Sequence, residues 1–161
     1  MKGWFAAASL VAALLLSACQ PVPQPPVFQA TDITGADFAR DFRLTDHNGQ
    51  VRTLADFKGK VVAVFFGYTH CPDVCPTTLS DFAAALTQLG PLAERVQVVF
   101  VTVDPQRDTP DLLKQFVPAF NPGFLGMYTD AQTLQQLSKE YKVVYQKASI
   151  KSADDYLIDH S

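Results

Sequence analysis

The sequence predicts an α/β fold, and two observations carry that prediction. Two apolar segments rich in β-branched residues, 61–66 and 96–103, have the length and composition of strands buried on both faces of a sheet. Each is followed by a segment whose apolar residues recur at helical spacing. Alternating strands and helices are typical of α/β sheets, and 161 residues are enough for one domain with its own core.

The N-terminal segment predicts export. Lys2 is the one early charge, and the apolar run over residues 4–16 is too short to span a bilayer comfortably. The run ends in LSAC, residues 16–19, which resembles the bacterial lipobox, in which the cysteine becomes the lipidated first residue. We therefore expect a signal peptide over residues 1–18 and a lipid on Cys19. The alternatives are an ordinary signal peptide with a coincidental cysteine, or a short membrane anchor.

Residues 19–40 are predicted to tether a folded domain, residues 41–161, to a membrane of the cell envelope. The tether consists of a stiff Pro-rich spacer over residues 20–27 and an entry loop over 28–40. The domain would face the periplasm or the outer surface. A formal charge of −3 and a pI near 5.5 argue against nucleic acid as a partner.

The first elements of the domain predict a β-hairpin. Residues 41–54 alternate apolar and polar positions around Asn48-Gly49, a pair that favours tight hairpin turns. His47 lies in this turn, where we expect an imidazole exposed to solvent. Residues 56–60 then form a short connection into the first apolar strand.

Two cysteines mark the handover from that strand to a helix. Cys71 and Cys75 are each followed by a proline, and the helical pattern begins after Pro76. Unpaired backbone N–H groups at a helix start favour a thiolate over a thiol. The four-residue spacing allows the sulfurs to form a disulfide or to share a metal ion. A disulfide across so short a loop adds little stability, so a redox or metal role is favoured over a structural one.

The rest of the chain continues the alternation. Thr109 is expected to cap a helix that begins at Pro110, and Thr129 or Asp130 to cap another over residues 131–141. Further predictions are short strands at 124–128 and 143–146, a loop at 148–155, and an apolar segment, 156–158, that leads to the end of the chain. In such sheets ligands gather at the carboxyl ends of strands, which here brings the cysteine loop near residues 104–108.

Three pieces of the chain together resemble the Sco/SenC family of copper-handling proteins: THCPDVCP at residues 69–76, VDPQRDT at 103–109, and DHS at 159–161. The resemblance implies a thioredoxin-like fold with an added N-terminal hairpin. It also implies a membrane-tethered protein that serves assembly of the dinuclear copper centre in subunit II of cytochrome c oxidase.

The family's copper ligands correspond here to Cys71, Cys75 and His160, and a nearby aspartate corresponds to Asp104. The resemblance implies copper as Cu(I), with Cu(II) as a second state; thiolate ligands suit Cu(I). It places His160 in the loop before the next-to-last strand. The family continues past this histidine with a further strand and a helix, so the resemblance predicts an incomplete domain with an open sheet edge.

Other residues near the motifs receive simpler interpretations. His70 directly precedes Cys71 in the chain and is expected to point away from the site. Met127 is expected to fill the core rather than bind copper. Phe65, Phe66 and Tyr68 are expected to form the core and the wall of the site.

Two main functions remain open at this stage. The first is a copper chaperone that receives copper from periplasmic donors. The second is a thiol-disulfide oxidoreductase in which Cys71 attacks, Cys75 resolves, His160 is dispensable and a thiol reductase regenerates the pair. A peroxidase that uses Thr69 and Arg107 fits the spacing poorly, and a metal-free structural domain is the fourth alternative.

Overall fold

A computed structural model of the chain describes residues 28–149, 151–152 and 155–160. The predicted signal peptide, Cys19 and the Pro-rich spacer, residues 20–27, lie outside the described residues. The chain divides into two units, residues 1–35 and 36–161. In the first unit, the described residues 28–35 contain a turn in which the Thr34 N–H donates to the Asp32 carboxylate (2.9 Å). No helix within the described ranges is long and apolar enough to cross a membrane.

The second unit contains seven strands and three α-helices in its described part. In chain order they are β1 (Arg43–Asp46), β2 (Val51–Thr53), β3 (Val61–Gly67), α1 (Val74–Leu89), β4 (Val96–Thr102), α2 (Pro110–Phe116), β5 (Leu125–Tyr128), α3 (Ala131–Glu140), β6 (Tyr145–Ala148) and β7 (Leu157–His160). The predicted alternation of strands and helices is confirmed, with bounds that shift by one to three residues.

Five strands form the main sheet in the order β2-β1-β5-β4-β3. Strands β3, β4 and β5 are parallel, and β1 runs antiparallel to both β2 and β5. Strands β6 and β7 form a separate antiparallel pair in which Tyr145 lies opposite His160. The N-terminal hairpin is therefore present as predicted and extends the sheet on the side away from β3.

Burial differs between the two apolar strands. In β4, the residues from Val98 to Val101 are at most 1% exposed, as predicted for a strand buried on both faces. The same prediction was wrong for the start of β3, where Val61 is 68% exposed. Within the described sheet β3 is an edge strand, and only its last two residues, Phe66 and Gly67, are buried.

Helix α1 begins earlier than the sequence pattern predicts. Its first residue is Val74, so Cys75 lies within the helix rather than before it. Pro76 is tolerated in the first turn because N–H groups there have no partner inside the helix. The predicted N-caps are confirmed: the Thr109 hydroxyl accepts from a backbone N–H of α2, and Asp130 does the same for α3.

The prediction for His47 was wrong, because its side chain is buried rather than exposed to solvent. The imidazole Nδ1 accepts a hydrogen bond from the Gly126 N–H (3.0 Å), and the His47 N–H donates to the Gly126 carbonyl (2.8 Å). Pairing of β1 with β5 brings Gly126 to this position. The imidazole therefore joins the hairpin to the sheet.

Candidate metal centre

The turn between β3 and α1 carries Cys71 and is held by a neighbouring loop. The Cys71 N–H donates to the Tyr68 carbonyl (3.3 Å). The buried Asp108 carboxylate, from the loop after β4, accepts bonds from the Thr69 N–H (3.0 Å) and hydroxyl (2.6 Å) and from the Thr102 hydroxyl (2.6 Å). The path of the chain into the cysteine motif is thus fixed by the carboxyl end of β4.

Gly67, the last residue of β3, makes room for the second sulfur. A Cβ added at this position would lie 2.9 Å from the Cys75 Sγ and 2.8 Å from the Phe100 ring. Both neighbours are fully buried, so neither has space to move away. A side chain at position 67 would therefore displace Cys75 or strain the core beside it.

The two thiols have different environments. Cys71 is half-buried, which raises its pKa, but the backbone N–H groups of Asp73, Cys75 and Val74 stabilise the thiolate and lower the pKa overall. The Cys75 N–H lies 3.4 Å from the Cys71 Sγ. Cys75 itself is inaccessible to solvent, and burial raises its pKa to about 12. Cys71 is thus the thiol that ionises first.

His160 reaches the cysteines from β7, where it is the last residue of a strand and not, as expected, part of a loop. Its Nε2 lies 3.5 Å from the Cys75 Sγ. The ring packs against Phe65 and Tyr68, with centroid distances of 6.2 and 6.1 Å. Burial lowers the pKa of His160, and the nearby Asp159 carboxylate partly opposes this effect. The lowered pKa favours the neutral imidazole, which is the form that metal ions bind.

The ligand atoms of Cys71, Cys75 and His160 all lie within 4.8 Å of one another. Bonds of about 2.3 Å to sulfur and 2.0 Å to nitrogen, as for zinc, place donors on one ion within about 4.5 Å of each other. A metal ion could therefore bind all three after a small adjustment. In the ranges that the structure describes, no other group of three cysteine, histidine or acidic side chains meets this geometry.

An open groove lined by Val144, Gln146 and Asp159 leads to His160. Cys71 and His160 are partly exposed to solvent, whereas Cys75 is fully buried. Two thiolates and one imidazole are soft-to-borderline donors that suit a monovalent copper ion.

The remaining candidates lie around this group without joining it. Asp104 is buried, and its carboxylate accepts from the Tyr156 hydroxyl (2.8 Å) and from Arg107. His70 is half-exposed, with its Nδ1 3.7 Å from Asp108 and its ring outside the three-donor group. Met127 is fully buried in the core, as expected.

Sequence reasoning missed Tyr156 and gave Arg107 a different role. The Arg107 guanidinium carbon lies 3.5 Å from the centroid of the Tyr156 ring, and its Nη1 donates to the Tyr156 carbonyl (3.0 Å). The tyrosine lies three residues before the start of the DHS motif, and the arginine lies within the VDPQRDT motif. That Arg107 and Tyr156 contact each other could not be derived from the spacing of the motifs.

With this geometry established, comparisons with known proteins decide the family. The family model described as SCO1/SenC matches residues 30–161. The chain belongs to the SCO1/SenC family. Its fold is accordingly the thioredoxin-like fold with an added N-terminal hairpin that the resemblance implied.

Relatives of the SCO1/SenC family support the assignment along most of the chain. A mitochondrial SCO2 homolog from Bos taurus is 42% identical over 123 residues, which cover 75% of this chain and 46% of that protein. ScoI from Bradyrhizobium japonicum, solved with copper bound, is 40% identical with a TM-score of 0.70, covering 75% of this chain and 76% of that one. Apo Sco1 from Thermus thermophilus is 43% identical with a TM-score of 0.67, covering 75% and 70%. The chain spans about half the length of the mitochondrial relative.

Proposed function

We propose that this protein is a copper chaperone that binds one Cu(I) ion through Cys71, Cys75 and His160. The observation that carries the proposal is the convergence of two sulfurs and one imidazole within 4.8 Å, although His160 lies at least 85 residues after the cysteines. Family membership and the copper-bound ScoI structure of a relative 40% identical support copper as the ion.

The different thiol environments suggest an order of loading. The Cys71 thiolate, which is accessible and has a lowered pKa, meets the incoming Cu(I) first. Copper then displaces the proton of Cys75, whose buried sulfur becomes the second ligand, and the neutral His160 imidazole completes the site. Unloading reverses this order by exchange of thiolates with cysteines of the recipient.

The recipient that we propose is subunit II of cytochrome c oxidase, where family members serve assembly of the dinuclear copper centre. The sequence supports a protein exported by residues 1–18 and anchored through a lipid on Cys19. Residues 19–40 would tether the copper domain, residues 41–161, at the membrane where the oxidase is assembled. Copper would come from donors in the same compartment.

Thiol-disulfide exchange is a second candidate function, favoured by the pairing of an accessible thiolate with a buried thiol. Cys71 would attack one sulfur of a target disulfide and form a mixed disulfide, releasing one target thiolate. Cys75 would then attack the Cys71 sulfur and release the second thiolate, which takes up the Cys75 proton. The target gains two electrons, and a dithiol reductant must reduce the new Cys71–Cys75 disulfide.

An anaerobic Cu(I) titration of the reduced full chain against a competing chelator tests the proposed function. We expect one tightly bound ion per chain, lost in both Cys71→Ser and Cys75→Ser and weakened in His160→Ala. His70→Ala is the matched control, since His70 adjoins Cys71 but lies outside the donor group. Full Cu(I) affinity in Cys75→Ser would refute the three-donor site.

An assay on a target that contains a disulfide separates the second function from the first. Reduction of a disulfide in a peptide from the copper-binding segment of the recipient should require Cys71 and persist in His160→Ala. If His160→Ala retains both Cu(I) affinity and reductase activity, the imidazole has no copper role and exchange becomes the favoured function.

A further inference from the structure

The strand that carries His160 is held from outside its own hairpin. Strands β6 and β7 pair with each other and, in the described structure, with no strand of the main sheet. The position of the imidazole therefore depends on side-chain contacts that join β7 to strand ends and loops of the main sheet. Two such contacts reach the backbone of β7 and of the residue before it.

Arg107 makes the first contact from the loop between β4 and α2. Its Nη1 donates to the Tyr156 carbonyl (3.0 Å), and its guanidinium lies over the Tyr156 ring, 3.5 Å from the centroid. Its Nε pairs with the Asp104 carboxylate, which also accepts from the Tyr156 hydroxyl (2.8 Å). Arg107 and Asp104 thus hold both the backbone and the side chain of Tyr156.

Tyr68 makes the second contact from the end of β3. Its hydroxyl accepts from the Ile158 N–H (3.1 Å), two residues after Tyr156 and two before His160. The same ring packs edge-on against the His160 imidazole, and the Arg107 guanidinium lies 5.8 Å from its centroid. Contacts among Tyr68, Arg107 and Tyr156 therefore connect the turn that carries Cys71 with β7.

We propose that Arg107 and Tyr156, with Tyr68, form a clamp that sets the position of the His160 imidazole over the cysteine pair. They are positioning residues: none of them belongs to the three-donor group, and they act through β7. An arginine suits this role because its planar fork bonds a carboxylate and a carbonyl while its face stacks on an aromatic ring. Lysine, a point charge on a flexible stem, cannot do all three at once.

Arg107→Lys is the main test, with Arg52→Lys as the matched control. Arg52 also pairs with a buried carboxylate, Asp46 (2.9 Å), but lies on β2, at the opposite side of the sheet from β3. Both substitutions remove one arginine–carboxylate bond from the domain. An effect confined to Arg107→Lys therefore reports the clamp and not a general loss of stability.

The first readout needs no metal. In the reduced, copper-free full chain, nuclear Overhauser contacts between the Tyr68 and His160 rings should be strong in the wild type, where the ring centroids are 6.1 Å apart. We expect Arg107→Lys to weaken or abolish these contacts and Arg52→Lys to preserve them. Preserved contacts in Arg107→Lys would overturn the clamp, whatever the protein binds.

The second readout, Cu(I) affinity, rests on the proposed function. Arg107→Lys should lower the affinity about tenfold, the lower end of the effect of residues that orient metal ligands. Tyr156→Phe, which removes only the hydroxyl bonded to Asp104, should lower it about two- to tenfold and remains informative if Arg107→Lys does not fold. Wild-type affinity in both variants would overturn the proposal.

The two readouts separate failure of the clamp from failure of the proposed function. If the wild type binds no Cu(I) while Arg107→Lys still loses the ring contacts, the clamp stands and the chaperone function fails. If the wild type binds Cu(I) through three donors and the ring contacts survive in Arg107→Lys, the chaperone function stands and the clamp fails.

Discussion

The hairpins β1–β2 and β6–β7 each place a histidine next to a strand end, yet the two imidazoles differ in what they can do. The His47 Nδ1 accepts a hydrogen bond from the Gly126 N–H, which is brought to the ring by the pairing of β1 with β5 in the main sheet. His160 belongs to a hairpin that forms its own two-stranded sheet, and its Nε2 faces the Cys75 sulfur instead. A histidine is thus free to bind a metal when its strand brings no backbone donor to the ring.

Substituting the two histidines should separate these roles with the largest contrast. His160→Ala is expected to lower Cu(I) affinity more than about tenfold, since loss of a ligand should exceed loss of a residue that orients one. His47→Ala is expected to leave Cu(I) affinity unchanged and to lower the free energy of unfolding by about 1–3 kcal/mol, because the buried Gly126 N–H loses its acceptor.

Chelator competition and urea denaturation of the same two proteins provide the measurements. The comparison fails if His47→Ala weakens copper binding as much as His160→Ala does. It would then follow that both hairpins influence the site.

Two glycines sharpen the comparison: Gly126 donates to His47, and Gly67 lies against Cys75, the residue that His160 contacts. Gly67→Ala should lower the free energy of unfolding by about 1–3 kcal/mol through overpacking and should also weaken Cu(I) binding, because the new methyl group overlaps the Cys75 sulfur at 2.9 Å. Gly126→Ala should destabilise the fold less, since its closest contact is 3.1 Å, to Val117, and should leave Cu(I) affinity intact.

Urea denaturation of both alanine variants, followed by the Cu(I) titration, measures the two effects. Equal copper affinities in Gly67→Ala and Gly126→Ala would show that the sulfur position tolerates a side chain at residue 67.

Acid should destabilise the fold through the buried His47 imidazole, with a smaller effect than the substitutions above. Burial lowers the pKa of His47, and Lys114 adds to this while Asp46 opposes it. A histidine whose pKa is lower in the folded state stabilises the fold above its unfolded pKa, about 6.5, and this contribution is lost as the pH falls below that value.

Melting temperatures of the copper-free protein should therefore fall between pH 7 and pH 5, and fall less steeply in His47→Gln. His160 is present in both proteins, so its own titration cancels in the difference. Parallel curves for the two proteins would show that the Gly126 bond survives protonation, contrary to the hydrogen-bond assignment at Nδ1.

Local sequence patterns were sufficient to predict most of the fold and the proximity of the two cysteines. The apolar run of β4, the Asn48-Gly49 turn and the Thr109 cap each depend on a few neighbouring residues, and the structure confirms them. Cys71 and Cys75 share one turn, so their proximity follows from spacing alone. His160 needed the family resemblance, because no periodicity connects it with cysteines at least 85 positions earlier.

The features that sequence analysis missed all depend on pairing between distant segments. The burial of His47 follows from the pairing of β1 with β5, and the exposure of Val61 follows from the edge position of β3. The contact between Arg107 and Tyr156 joins a loop to the start of β7 across 49 residues. Propensity and spacing carry no information about such contacts until the topology is known.

X-ray absorption at the copper edge of the Cu(I)-loaded full chain tests the central claim most directly. The account predicts one copper ion bound by two sulfurs and one imidazole nitrogen, with the nitrogen absent from the spectrum of His160→Ala and present in that of His47→Ala. A wild-type spectrum with sulfur ligands alone, or one unchanged in His160→Ala, would contradict the three-donor site.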